Sequence, residues 1–186
     1  MSVLSQLSED KALAIISLPY KAGLWVSHAD DIEGEVDDEN EMKAIERGVP
    51  ALADLHGDSP LVQEVASEII RLNDSWKQWE EGSFYVVKQA PDVIHDIQAE
   101  FGTAEAKHYR RFVMELGKMV AQAHSELSAF DAIEEDKREG FLSNMVGKFV
   151  GGLSSMKDDD SGHPANISPS EKSALSQLSA ALKISE

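Results

Sequence analysis

Eight of the 12 positions from Asp30 to Glu41 are carboxylates: Asp30, Asp31, Glu33, Glu35, Asp37, Asp38, Glu39 and Glu41. Like charges packed this densely repel, and a hard cation such as Ca²⁺ or Mg²⁺ would relieve the repulsion while taking oxygen ligands. An EF-hand register fails, because Gly34 at its sixth position leaves Ala29 first and Asn40 twelfth. The run reads either as a non-standard cation site or as a solvated face whose last residues cap a helix. A second acidic stretch, Asp158-Asp159-Asp160-Ser161-Gly162, fails the same register with Lys157 first and Ser168 last, and reads as linker. Glu134-Glu135-Asp136 stands directly before Lys137 and Arg138, the pattern of a self-neutralised helix start.

Histidine adds a different chemistry. Helical bundles build di-iron sites from Glu-x-x-His motifs, and Glu105-Ala106-Lys107-His108 has that spacing, as does the aspartate version Asp92-Val93-Ile94-His95. Such a site would use His95, Glu105 and His108 with inward carboxylates from other helices, for which Glu64 and Glu115 are candidates. His28 and His124 fall at helix C-termini, where partial positive charge is favourable. Nucleophilic catalysis has no support: cysteine is absent, and neither a G-x-S-x-G elbow nor a phosphate-cradling glycine loop occurs. The basic cluster Lys107-His108-Tyr109-Arg110-Arg111 reads as self-paired or as facing an acidic partner. Trp76 and Trp79, three apart with Ile69 and Leu72, read as core.

Helices must position these groups, because apolar residues recur at three and four positions and alternating β-branched runs are missing. A first helix spans residues 8 to 29 with Leu13, Ile16, Tyr20, Leu24 and Val26 on its stripe, and Pro19 is expected to kink or divide it. A second opens at the Asp38-Glu39-Asn40-Glu41 capping box and carries Met42, Ile45, Val49 and Leu52, with a possible break at Pro50. Ser59-Pro60 opens a third, expected to run unbroken to Gly82. Residues 83 to 101 form a fourth with a break near Pro91, Gly102-Thr103 separates it from a fifth over 104 to 127, and a sixth covers 134 to 149. Gly151 to Asn166 reads as linker, and Ser168-Pro169-Ser170-Glu171 opens a short helix with Leu175, Leu178 and Leu182 that must dock on its own domain, a second copy or a partner.

The 186 residues suit one domain with an appendage. Seventeen basic against 34 acidic residues give a net charge of −17, which opposes nucleic acid and anionic membranes. Neither a basic leader nor 18 consecutive apolar residues occur, so a cytoplasmic location without membrane insertion is expected.

Two segments share an order of features. Leu24-Trp25-Val26-Ser27-His28-Ala29-Asp30 ends a helix before an acidic loop, and Val36-Asp37-Asp38-Glu39-Asn40-Glu41-Met42-Lys43-Ala44-Ile45 opens the next. Lys118-Met119-Val120-Ala121-Gln122-Ala123-His124 ends another, and Ile133-Glu134-Glu135-Asp136-Lys137-Arg138-Glu139-Gly140-Phe141-Leu142 opens its successor. This order resembles the tellurite-resistance TerB-like family. The resemblance implies a bacterial, compact all-helical domain in two pseudo-symmetric halves, associated with stress responses and with divalent cations at its acidic loops. Carried over residue by residue, it implies Asp30, Asp31, Glu35, Asp38 and Glu41 as ligands in the first copy. The second copy departs from the pattern: His124 stands for the expected aspartate, and Ser125, Ser128 and Phe130 leave its loop poor in carboxylates.

The expected protein is all-α, with about six helices over residues 1–150, a linker at 151–167 and a docking helix at 168–186. The leading functional expectation is a non-enzymatic stress-response or interaction module that binds Ca²⁺ or Mg²⁺ at residues 30–41, with no other cofactor. Its partner is a protein, or a second copy, held through the C-terminal helix. The alternatives are a metal-dependent bundle enzyme or carrier using carboxylates and histidines, and a metal-free helical adaptor. Chelated protein melted with millimolar Ca²⁺ or Mg²⁺ should gain several degrees over sodium chloride of equal ionic strength, since a ligand at about 100 times its Kd stabilises by roughly 2.7 kcal/mol. The gain should vanish in the Asp30→Asn, Asp38→Asn double variant, whereas equal shifts in every salt would leave the run a solvated face.

Overall fold

A proline inside a helix removes one amide donor and leaves the carbonyl four residues earlier without its partner. In α1 (Glu9–Ser27) the proline is Pro19, and the carbonyl it orphans is that of Ile15. Tyr109, on the long helix packed against α1, donates its phenol O–H to Ile15 O at 2.7 Å in a fully buried contact. Burial pushes the phenol well above its ordinary pKa, so it stays a donor. α1 therefore continues through Pro19 instead of dividing there.

The computed structural model describes residues 2–30, 38–128, 135–155 and 167–183. Among them every regular element is helical: α1, α2 (Asp38–Leu55), α3 (Pro60–Arg71), α4 (Trp76–Glu80), α5 (Val86–Ser128), α6 (Glu135–Ser155) and α7 (Pro169–Ala181), with short 3₁₀ turns between some of them. The all-α expectation holds. α5 is the axis. α1 and α2 lie on it, α6 packs mainly on α2, and α7 covers α5 beside α1. The first and second acidic helix–loop–helix segments are α1–α2 and α5–α6. No helix among the described residues is long and apolar enough to cross a membrane.

Side-chain size decides how closely these helices approach. A Cβ on Gly48 would overlap the end of the Met119 side chain, so with glycine there the methionine lies directly against the α2 backbone. From Ile15 onward α1 is buried nearly all round, through Leu18, Tyr20, Leu24 and Val26, whereas Leu13 is exposed despite its place on the apolar stripe. Pro50 and Pro91 sit on exposed positions inside α2 and α5, where water can serve the carbonyls they orphan, and neither ends its helix.

Two other expectations are corrected, while the separation expected at Gly102 is present. The helix from Pro60 does not reach Gly82: it stops at Arg71, and the 3₁₀ turn Asn73–Ser75 separates it from α4. The break is stabilised because Trp76 Nε1 donates to Ile69 O at 2.9 Å, replacing a helical amide. Trp76 and Trp79 are thereby buried against Tyr20, at ring-centroid distances of 4.9 and 5.8 Å. Gly102 joins two helical halves across a kink, at φ 87° and ψ 171°, a region open to glycine. α6 continues to Ser155, into the expected linker, whose residues 156–166 lie outside those described.

α7 begins as expected. Ser168 Oγ accepts from Glu171 N at 3.1 Å, and the Glu171 carboxylate accepts from Ser168 N at 2.9 Å. Leu175, Leu178 and Leu182 are buried, with Leu175 and Leu178 close to Gly117 of α5. Of the three surfaces open to this helix, its apolar side takes its own domain.

Tyr109→Phe keeps the shape and deletes the donor, so it should cost about 1–3 kcal/mol in urea unfolding. Adding Pro19→Ala returns an amide to Ile15 O and should recover most of that loss. An equal effect of Pro19→Ala in both backgrounds would show that the phenol and the missing amide do not serve the same carbonyl.

Candidate functional site

In a 3₁₀ turn, residues three apart share a face. Ser83 and Val86 are both fully buried, which forces the two residues between them outward. Phe84 is 69% and Tyr85 61% exposed, the two most exposed large apolar side chains described. The turn Ser83–Tyr85 is held from below: Tyr85 N donates to Gly82 O at 3.2 Å and Gly82 N to Trp79 O at 3.0 Å. Gly82 itself lies under Lys21, whose amine is half-buried and has its pKa lowered by desolvation.

Beside this turn α1 ends. His28 is its C-cap, with its backbone N–H on Leu24 O, and its ring stacks on Phe84 at 6.3 Å between centroids and 27° between planes. Trp25, one turn earlier, forms the floor with Ala29. The opposite wall is α7, where Ser170, Ser173, Ala174 and Gln177 follow the i, i+3, i+4, i+7 spacing of one helix face. Together with Pro169 these residues enclose an open groove of about 580 Å³. That volume lies within the roughly 300–1,000 Å³ usual for binding clefts. The α7 helix thus uses one face to dock and the adjacent one to build a wall.

A second polar constellation lies in the interior, where the turn between α2 and α3 meets α5. His56 is 2% and Glu115 5% exposed. Glu115 Oε2 lies 2.9 Å from His56 Nε2, and Oε1 accepts from Arg111 Nε at 2.9 Å. The carboxylate is acceptor to both, which puts a proton on His56 Nε2. His56 Nδ1 faces His108 Nδ1 at 3.4 Å, while the ring centroids are 5.7 Å apart. The difference is two imidazole radii, so both nitrogens lie on the line between the rings. That is the arrangement of one bridging N–H···N proton, whereas two lone pairs bound to one tetrahedral metal would converge at an angle. His108 Nε2 in turn lies 3.6 Å from Asp58 Oδ2.

The sequence-derived sites fall as follows. Asp31 and Glu35 lie outside the described residues, as do the side chains of Asp30, Asp38 and Glu41. The bundle metal set is not brought together: His95 is 82% exposed and faces Asp96, and Glu64 holds Ser2 Oγ and Val3 N. Glu105 is occupied at the positive end of α3, accepting from Ser59 Oγ at 2.6 Å and Leu61 N at 3.3 Å. Only Glu115 and His108 reach a common cluster, and its other member, His56, carried no spacing signal. Among the described residues no group of three or more His, Asp or Glu could hold a metal. The basic cluster is dispersed by the helical turn: His108 to His56, Tyr109 to α1, Arg110 to Ser179 of α7, Arg111 to Glu115. No protein-family profile matches the chain, and neither a curated protein nor a solved structure does.

Glu115→Ala strips a buried partner from both His56 and Arg111 and should cost about 3–5 kcal/mol in denaturant unfolding, whereas replacing His56 and Glu115 together by Leu should cost clearly less than the sum of the single changes. Additive losses would mean that the two side chains do not act as a pair.

Proposed function

We propose that this chain is a non-enzymatic interaction module, whose groove between the end of α1, the Ser83–Tyr85 turn and α7 receives a segment of a partner protein. The observation that carries the reading is the exposure of Phe84 and Tyr85 on a turn pinned by its own buried neighbours. Large aromatic side chains already held outward beside a groove lose little entropy on binding, and such residues are enriched in protein interfaces. The buried His56–Glu115 pair supports the same reading, because its polar atoms are spent on joining α2, α3 and α5. The TerB-like resemblance agrees with a helical module acting in a cytoplasmic stress response. Its divalent cation at Asp30, Asp31, Glu35, Asp38 and Glu41 belongs to the same proposal and rests on the density of carboxylates in the sequence.

Panning a displayed random-peptide library on the intact chain and on a Phe84→Ser, Tyr85→Ser variant tests the reading. Peptides enriched on the native chain should bind the variant about tenfold or more weakly, the loss expected when a central aromatic contact is removed. Both substituted positions are exposed, so the far-ultraviolet circular dichroism of the variant should be unchanged. Enriched peptides that ignore the two substitutions would overturn the assignment of the groove.

A further inference from the structure

Resting on the groove reading, we infer that the segment it receives is cationic, with an arginine guanidinium laid against the face of Phe84. Three observations converge. Phe84 is 69% exposed, with the His28 ring stacked on it and Trp25 beside it in the same groove, and the face of Phe84 away from His28 can attract a guanidinium through its quadrupole. None of the nine residues lining the groove is Lys or Arg, so apart from His28, the one lining residue able to take a proton, no side chain there opposes an incoming cation. The chain as a whole carries −17, and from groove-lining Ala29 it passes directly into Asp30, the first of eight carboxylates in 12 positions. A cationic segment gains from that field and an acidic one is repelled.

The polar wall fits the same ligand. Ser170, Ser173 and Gln177 lie along one face of α7, with Gln177 Nε2 donating to Ser173 Oγ at 3.5 Å, and a planar guanidinium has five N–H donors to offer the hydroxyl and amide oxygens of this wall while it stacks. The positive end of α7 does not cancel the attraction, because the Glu171 carboxylate already occupies it through Ser168 N. An ammonium group would be drawn by the same field, yet it lacks the flat surface that stacks on Phe84 and the fork that spans the serines.

The test uses the full chain and a capped hexapeptide, acetyl-Ala-Arg-Pro-Leu-Arg-Ala-amide, with citrulline and glutamate versions at the arginine positions. Binding is read from the Trp25 indole N–H resonance, with the buried Trp76 and Trp79 as internal controls. Citrulline keeps the planar shape and loses the charge, so the arginine peptide should bind about two- to fivefold more tightly, the equivalent of one exposed cation–π contact. The advantage should shrink as salt rises from 50 to 500 mM. Phe84→Leu, which keeps apolar area without the aromatic face, should abolish it, and Phe84→Trp should retain it. Equal affinity of the arginine and citrulline peptides, or a preference for glutamate, would overturn the cation inference. The groove reading would survive that outcome if library peptides of other composition still depended on Phe84, and would fall with it if none did.

Discussion

One hydrogen bond sets the line of α1. Because the Tyr109 phenol supplies the donor that Pro19 lacks, the helix stays continuous across the proline and carries Tyr20, Trp25 and His28 to defined places. Tyr20 then closes on Trp76 and Trp79, which fixes α4 and the turn after it. Trp25 and His28 reach the groove. The same device recurs at Ile69, whose carbonyl takes an indole N–H where α3 stops. In both places an aromatic side chain from elsewhere in sequence repairs a backbone defect. The repair also fixes its own position, so backbone satisfaction and core packing are one constraint here.

One helical turn of α5 distributes the tertiary links. With successive residues about 100° apart around the helix, His108, Tyr109 and Arg110 must face three different neighbours. They meet the α2–α3 turn, α1 and α7. Glu105 and Glu115, one on either side, hold the start of α3 and His56. What resembles a charge cluster in the linear sequence is, in three dimensions, a set of separate joints. A polar chain therefore runs from Asp58 at the surface through buried His56 and Glu115 to the half-exposed Arg111.

Sequence signals match the structure where the physics is local. Ser59-Pro60 and the Ser168–Glu171 box mark helix starts because side chain and backbone within four residues complete the bond. Helical periodicity identified the all-α class and the buried leucines of α7. The failures share a cause. The helix through Pro19 depends on Tyr109, 94 residues from the carbonyl it serves, and the break at Leu72 on the Trp76 side chain reaching back to Ile69 O, and propensity carries no information on either. His56 was missed because a lone histidine in a turn has no spacing to betray it, although its place three residues before a read cap put it beside α5. The groove draws on residues near 25, 84 and 170, and its one local trace was the Phe84-Tyr85 pair just after Gly82. The acidic run remains a statement about composition.

The groove is made of parts far apart in the order of synthesis. Its aromatic floor and turn come from residues 25 to 29 and 84, and its other wall from α7, at residues 169 to 177. A ribosome that has delivered α1 through α6 has therefore produced the aromatic half of the surface without the side that closes it. The aromatic rings stand uncovered by α7 until its leucines find Gly117. Whatever recognises the closed groove distinguishes a chain on which α7 has docked from one on which it has not.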